Sequence, residues 1–561
     1  MREKWKALIL EDRPFAKRLT DSIAASLFTA FTLLFFAPME MIMTNTRDIW
    51  FSADMVVWYF ALAACLLFAA LTGLGLLLRG RLFNLYLSLL FGIALCLYLQ
   101  GNFLNIDYGV LNSQRVRWEK YGTYAVVNTA VCLLIAALPL IVLYFSRRVW
   151  SIAVRLIGFG LVLVQAVTLV TVSLTNTRVE NHYGFTYEDV FSFHSEENVL
   201  WIIEDWFDND FIEPMLKEKP DALDTWEGFT YYPNTVGISA VTIPSVSEQL
   251  TGKLYMKDIP YETYLQNAWQ DETIFTVLKE QGYDMRALGD VNAFDPSAQQ
   301  YFSNYVETEQ RILSYPGMFK TMMSLVCYRY MPHALKAGFW LEMDAMNWFK
   351  QKTQTYEFYD STLLLRLHAQ PVDANSSQKA FRLIHFNGMH EGNYMTREAV
   401  AVEHDMLWPL DQSLGCIKIL NTLFEQMKAA GVYDNTVIII AADHGHNDWS
   451  GESRTLYTDE VFATIPNNPI LFVKPKGATG AWNTSQAPAW VMDIAPTILH
   501  QTGCRDYTRF GTSILDLEED TERERLFVFE NSPYYTPEDW AAYLCRITGD
   551  ANNWDNWARV E

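Results

Sequence analysis

Thr436-Val-Ile-Ile-Ile-Ala-Ala-Asp443-His444-Gly445 is the stretch that decides the fold. An unbroken aliphatic run rich in β-branched residues is the pattern of a strand buried on both faces, as in a parallel sheet covered by helices. It closes on an acid and an imidazole, and Gly445 allows the chain a sharp exit. Oxygen and nitrogen ligands side by side at a strand end can share one metal ion. Asn198-Val-Leu-Trp-Ile-Ile-Glu204-Asp205 repeats the pattern, a buried strand ending in two carboxylates. Ligands of open α/β sheets bind outside the carboxyl ends of the strands, so two acid-ended strands in one chain point to one crevice. A third run, Arg382-Leu-Ile-His385-Phe-Asn-Gly-Met-His390-Glu-Gly, reads as a strand followed by a polar turn. His385 lies inside that strand and is assigned to the scaffold.

Between the first and third of these strands in chain order lies Thr242-Ile-Pro-Ser245-Val-Ser-Glu-Gln-Leu-Thr251-Gly252, where an early proline and a late glycine bracket a short helix. A hydroxyl at such a helix start meets backbone donors and a dipole that favours an anion. Alone, Thr242 reads as a helix cap; beside two acid-ended strands it reads as a nucleophile. Thr273 to Tyr283 has helical spacing with a glycine stop, Asn468-Pro-Ile-Leu-Phe-Val reads as a further strand, and Met492-Asp-Ile-Ala-Pro-Thr-Ile-Leu as a helix. Residues 316–350, rich in Met, Phe, Trp and Tyr with a few cations, fit either a helix lying on a bilayer surface or a buried one.

Upstream, the character changes. Five apolar stretches, roughly 22–44, 50–78, 82–104, 122–145 and 149–175, are each long enough to cross a bilayer as a helix. More spans follow the first, so it is not read as a cleaved signal peptide. Basic residues precede the first span (Arg2, Lys4, Lys6, Arg13, Lys17, Arg18), join the second to the third (Arg79, Arg81) and the fourth to the fifth (Arg147, Arg148). Those segments are expected in the cytoplasm, which puts everything beyond about residue 176 on the far side. The loop with Arg115, Arg117, Trp118 and Lys120 runs against this charge rule and is read as interfacial. The expected organisation is therefore a transmembrane domain over residues 1–176, a connector over 177–197 and a second domain over 198–561.

Composition agrees with two such parts. The 561 residues are 50% hydrophobic, and residues 1–180 carry 16 Lys and Arg against 10 Asp and Glu, leaving 27 against 55 beyond. A net charge of −22 argues against a nucleic-acid partner, which calls for a clustered basic surface. It suits a solvated domain able to hold divalent cations. Seven cysteines occur without a CxxC or zinc-ribbon spacing and are expected to be unpaired and buried.

An acid-ended strand, then Thr-x-Pro-Ser closing on Leu-Thr-Gly, then Gly-Val-Tyr-Asp-Asn-Thr and a strand into Asp-His-Gly: this order resembles the alkaline phosphatase and sulfatase superfamily over residues 196–505. With five preceding spans, the chain is most similar to its lipoteichoic acid synthase and phosphoethanolamine transferase branches. The resemblance implies an α/β domain with a central, mostly parallel sheet behind a five-helix transmembrane domain. It implies a metal site of Asp205, Thr242, Asp443 and His444, with Glu204 as the alternative first ligand, and a divalent manganese, zinc or magnesium ion. Thr242 would be the nucleophile, with Ser239 the competing hydroxyl. His390 would be a catalytic residue, binding a phosphate oxygen or protonating a leaving alkoxide, and His446 an outer supporting residue. Sulfatases of the usual kind need Cys or Ser at the nucleophile for conversion to formylglycine; a threonine cannot form that aldehyde, which favours phosphoryl transfer. The implied partners are a phospholipid donor, an envelope glycan, polymer or lipid acceptor, and the membrane itself, with the catalytic domain extracytoplasmic. The alternatives are an extracytoplasmic phosphodiesterase or sulfatase-like hydrolase, and a non-catalytic scaffold.

Overall fold

The computed structural model describes residues 14–46, 49–108, 116, 118–175, 183–308, 311–341, 343–351, 355–356, 359–390, 395–402, 409–445, 468–530 and 542–560. It divides the chain into two units, residues 1–180 with 309–352, and residues 181–308 with 353–561. His446, Arg115 and Arg117 lie outside the described residues.

In the first unit, five helices are long and apolar enough to cross a membrane: α1 (Phe15–Thr44), α2 (Ala53–Leu77), α3 (Gly80–Phe103), α4 (Gly122–Phe145) and α5 (Arg147–Thr175). In a medium without water every backbone N–H and C=O must pair within the segment, which a helix achieves. α1 is the most enclosed of the five, whereas α2, α4 and α5 leave leucines and valines such as Leu66, Leu133 and Leu163 exposed, the outward faces expected of lipid-facing helices. Charge inside the unit is paired: the buried Asp21 accepts from Ser151 Oγ at 2.8 Å and Arg155 Nε at 2.6 Å.

One feature departs from the boundaries expected from sequence, which put residues 198–561 in a single domain. Residues 309–352 belong with the helical unit. Their main helix, α7 (Tyr315–Tyr330), buries Met318, Met322, Leu325 and Val326 in one cluster with Phe36, Met39, Ile42, Phe51 and Phe60. Polar clips hold it there: Arg329 pairs with Glu40, Trp50 Nε1 donates to Met346 O at 2.7 Å, and the His333 N–H donates to Asn128 Oδ1 at 2.9 Å. The packed face of this helix agrees with the buried-helix reading of residues 316–350.

The second unit is built on a seven-stranded sheet. Its strands are β1 (Asn198–Glu204), β2 (Thr230–Tyr231), β3 (Asp284–Leu288), β4 (Ala380–Phe386), β5 (Thr436–Ala442), β6 (Leu471–Lys474) and β7 (Asn483–Thr484), in spatial order β7-β2-β6-β5-β1-β4-β3. β3, β4, β1 and β5 run parallel, and β6 runs antiparallel to β5. Every residue of β1, β4 and β5 is buried, as the apolar runs of β1 and β5 require, and β4 buries Arg382 and His385 with its apolar residues. The register aligns Glu204 with Phe386 on one side and Ala442 on the other. The next residue of each strand, Asp205, Asn387 and Asp443, therefore emerges at one carboxyl edge. Helices α6 (Thr242–Thr251), α8 (Asp360–Ala369), α9 (Pro409–Ala429) and α10 (Ile494–Gln501) are among those of the unit, and β8 (Glu524–Glu530), β9 (Ala542–Thr548) and β10 (Trp557–Arg559) form a separate antiparallel sheet. All seven cysteines are unpaired; Cys65 is exposed and Cys327 and Cys504 are only partly buried, so burial holds for four of them.

Candidate active site

At that carboxyl edge, the chain brings together residues widely separated in sequence. Thr242 Oγ1 lies 3.3 and 3.4 Å from the two carboxylate oxygens of Asp205 and 3.2 Å from His444 Nε2. His444 Nε2 is in turn 3.7 Å from Asp205 Oδ1 and 3.6 Å from Asp443 Oδ2. Thr242, Asp205, Asp443 and His444 thus form one cluster. Successive residues at a strand end point to opposite sides, and Glu204 faces away into the protein, beside Cys416 and Asp360. Ser239 is buried next to β8, paired by a bridge to Val528, and its Oγ has no hydrogen-bond partner among the described residues.

Thr242 stands ahead of Ile243, whose φ of −109° and ψ of 108° are not helical, and the helix behind that kink is anchored beside the site: Ser245 and Gln249 both reach the Asp443 carbonyl, Ser245 Oγ donating at 2.6 Å and Gln249 Nε2 at 3.0 Å. Two side-chain clips so tie the helix bearing Thr242 to the strand end bearing Asp443 and His444.

Whether the cluster suits a cation can be judged from its own atoms. Asp443 Oδ1 accepts two backbone N–H groups, from His444 at 2.7 Å and Trp206 at 3.0 Å, while Oδ2 is buried with no hydrogen-bond partner among the described residues. His444 Nδ1 lies 2.9 Å from the Gly445 carbonyl, which can only accept. Nδ1 therefore carries a proton, and Nε2 faces Thr242 and the carboxylates. Burial, and then the charge of Asp443, push the Asp205 carboxyl well above the usual range. Two buried acids side by side are the arrangement a divalent ion relieves. The residues fit a metal.

His385, assigned to the scaffold from sequence, joins this group: ligand atoms of Asp205, His385 and Asp443 lie within 4.8 Å of one another, all three buried. Burial holds the His385 imidazolium down to about 4, so the ring is neutral, the form in which imidazole binds metals. The signal for it was a polar residue near the carboxyl end of an apolar strand, legible only once β4 is known to lie beside β1.

His390 is exposed on the turn after β4. Its ring centroid lies 5.6 Å from that of Trp206, whose ring is 6.3 Å from His444. Trp206 was not foreseen. It adopts φ of +63°, unusual for a bulky side chain, and the conformation delivers both its N–H to Asp443 and its ring between the two histidines. Asp290, just beyond β3, sits close enough to interact with Asp443 and His390, and burial raises its carboxyl.

The family model described as Sulfatase matches residues 197–504, more than half of the chain. Lipoteichoic acid synthase 1 of Bacillus subtilis (strain 168) is 29% identical over 130 residues, covering 21% of this chain and 19% of that protein. The match thus spans about one fifth of the curated relative's length. Among solved structures, the lipoteichoic acid synthase of Listeria monocytogenes aligns at 13% identity and a TM-score of 0.38, over 67% of this chain and 90% of that one. A protein in the alkaline phosphatase superfamily from Vibrio parahaemolyticus aligns at 14% identity and 0.39, over 68% and 84%.

Proposed function

The chain belongs to the sulfatase family, and we propose that it is a membrane-anchored transferase moving a phosphoryl-linked head group, phosphoglycerol or phosphoethanolamine, from a phospholipid to a cell-envelope acceptor through Thr242. The observation that carries this reading is a threonine hydroxyl seated 3.2–3.4 Å from Asp205 and His444 at the sheet's carboxyl edge. A hydroxyl so placed is a nucleophile that transfers a phosphoryl group covalently. A manganese, zinc or magnesium ion held by Asp205, Thr242, Asp443 and His444, with His385 beside them, would supply Lewis-acid chemistry, easing loss of the hydroxyl proton and balancing phosphoryl charge.

In the first half-reaction, Thr242 Oγ1, its proton released to solvent, forms the new P–O bond. The bond from phosphorus to the diacylglycerol oxygen breaks, and that oxygen takes a proton from His390, a residue type suited to proton transfer near neutrality. In the second, an acceptor hydroxyl on a glycan, polymer or lipid attacks the phosphothreonine and returns its proton to His390, the bond from phosphorus to the Thr242 oxygen breaks, and that oxygen takes a proton back from solvent. A five-helix anchor keeps such a site among head groups, which raises their effective concentration. The basic loops support an extracytoplasmic catalytic domain.

Hydrolysis shares the first half-reaction and differs only in using water for the second, so the test must separate the two. Purified full-length protein is incubated with vesicles of labelled phosphatidylglycerol or phosphatidylethanolamine, with and without envelope fractions, and the Thr242 peptide is weighed. A head-group phosphoryl adduct on Thr242 that is discharged to an envelope fraction supports transfer. An adduct discharged equally fast without any acceptor indicates a hydrolase. Absence of turnover on every lipid removes the proposal.

A further inference from the structure

The turn that carries His390 is held by a buried carboxylate, whose charge also acts on Glu204 and Asp205. Asp360, the first residue of α8, is buried, and its two oxygens accept consecutive backbone N–H groups just beyond β4: Asn387 N to Oδ1 at 2.8 Å and Gly388 N to Oδ2 at 2.8 Å. The rest of the turn is pinned as closely. Gly388 O accepts from Gln412 Nε2 at 2.7 Å, Met389 N donates to Asp205 O at 2.7 Å, and His390 N donates to Asn387 O at 3.0 Å. Gly388 has φ of +55°, and a Cβ there would lie 2.5 Å from Asp205 O, so the turn rests directly on the Asp205 backbone.

We propose that Asp360 is a positioning residue: by bridging the Asn387 and Gly388 amides it sets the turn that presents His390 to the leaving group, against the backbone of Asp205. The inference rests on the reading above, in which His390 gives a proton to the departing alkoxide. Two adjacent donors require two acceptors, which a carboxylate has and a carboxamide lacks. Asparagine would accept from one amide and set its own NH2 against the other.

Leaving-group chemistry tests this, because only a poor leaving group needs the proton. Full-length protein is assayed on phosphatidylglycerol and phosphatidylethanolamine vesicles, where an alkoxide leaves, and on bis(4-nitrophenyl) phosphate, where a stable phenolate leaves. Asp360→Ala and Asp360→Asn are expected to lower kcat on lipid by about 100-fold, the lower end of general acid catalysis. KM should stay nearly constant, the first-turnover burst of nitrophenolate, which comes from the first half-reaction alone and needs no proton on its leaving group, should change less than about threefold, and Asp360→Glu should recover part of the lipid rate. His390→Ala should lower kcat on lipid to a similar extent, and adding Asp360→Ala to it should cost nothing further, the non-additivity of two residues acting as one. Should Asp360→Ala fail to fold, the nearly isosteric Asp360→Asn carries the comparison. Equal losses on both probes, or additive losses in the double variant, overturn the role of Asp360 while leaving the phosphoryl-transfer reading intact. A wild-type chain inactive on both probes overturns that reading and the role together.

Discussion

At the scale of single residues, the site divides labour between the oxygens of one carboxylate. Asp443 Oδ1 accepts from two backbone N–H groups and Oδ2 from none among the described residues, which keeps one oxygen fixed and the other available. Thr242 shares its surroundings, and Ser239, the competing hydroxyl in the sequence, does not: no hydrogen bond ties it to the cluster among the described residues. Thr242→Ala is accordingly expected to abolish head-group transfer, by at least about 1,000-fold, because a missing nucleophile removes the covalent route rather than slowing it. Thr242→Ser should retain phosphoenzyme formation and Ser239→Ala should retain most turnover. Phosphoenzyme trapping and transfer rates in the same membranes decide this, and loss of activity in Ser239→Ala alone would shift the nucleophile. The sequence leaves Asp205 and Glu204 as rival ligands because both end one strand; the alternation of strand side chains separates them, and only Asp205 faces Thr242.

Elements hold these residues at their distances. Helix α6 meets β5 through Ser245 and Gln249, both on the Asp443 carbonyl. Gln249→Ala removes one clip without removing a ligand, so metal affinity should fall by about 10-fold and up to 100-fold, as for other outer supports of metal sites. Titration calorimetry with manganese and zinc on the purified chain reads the change; unaltered affinity would reduce the clip to simple packing. A second element-scale prediction concerns Lys474, buried at the end of β6, where Nζ donates to the Tyr433 and Thr436 carbonyls at 3.0 and 3.3 Å and lies 4.6 Å above the Tyr433 ring. Burial lowers its pKa from 10.5 to about 8. Between those values the unfolded chain keeps a proton that the folded one has lost, so this lysine makes stability rise with pH from about 8 to 10.5 and fall as pH drops back toward 8. Lys474→Met should flatten the rise in melting temperature across that window in detergent-solubilised protein, and an unchanged slope would show that the ammonium is not what titrates there.

At the scale of the whole molecule, a helical unit with five bilayer-length helices is joined to a sheet unit, and the chain returns to the first unit once, through residues 309–352. The return was not legible. A stretch rich in Met, Phe and Trp satisfies a bilayer surface, a soluble core and a helical bundle equally well, and the choice is made by Phe36, Met39 and Phe51, hundreds of residues earlier, which share its cluster. Orientation rests on the basic loops. A reporter enzyme fused just after residue 176 should be active outside the cytoplasm, and fusions near Arg79 or Arg147 active inside. Cytoplasmic activity of a fusion at the carboxyl terminus would reverse the orientation and remove the envelope role.

Sequence alone determined what depends on local pattern: five apolar helices from uninterrupted hydropathy, the buried strands β1 and β5 from aliphatic runs, and, through the family resemblance, a set of Asp443, His444, Thr242 or Ser239, and Asp205 or Glu204. Tertiary structure decided what depends on register and on contacts between distant segments. That β4 lies beside β1 brings His385 to Asp205; that the turn after β4 rests on Asp205 gives Asp360 two amides to hold; and a positive φ at Trp206 turns its ring between His390 and His444. None of these leaves a periodicity in the chain, because a side chain's neighbours across a sheet are set by strand order, which local sequence does not encode.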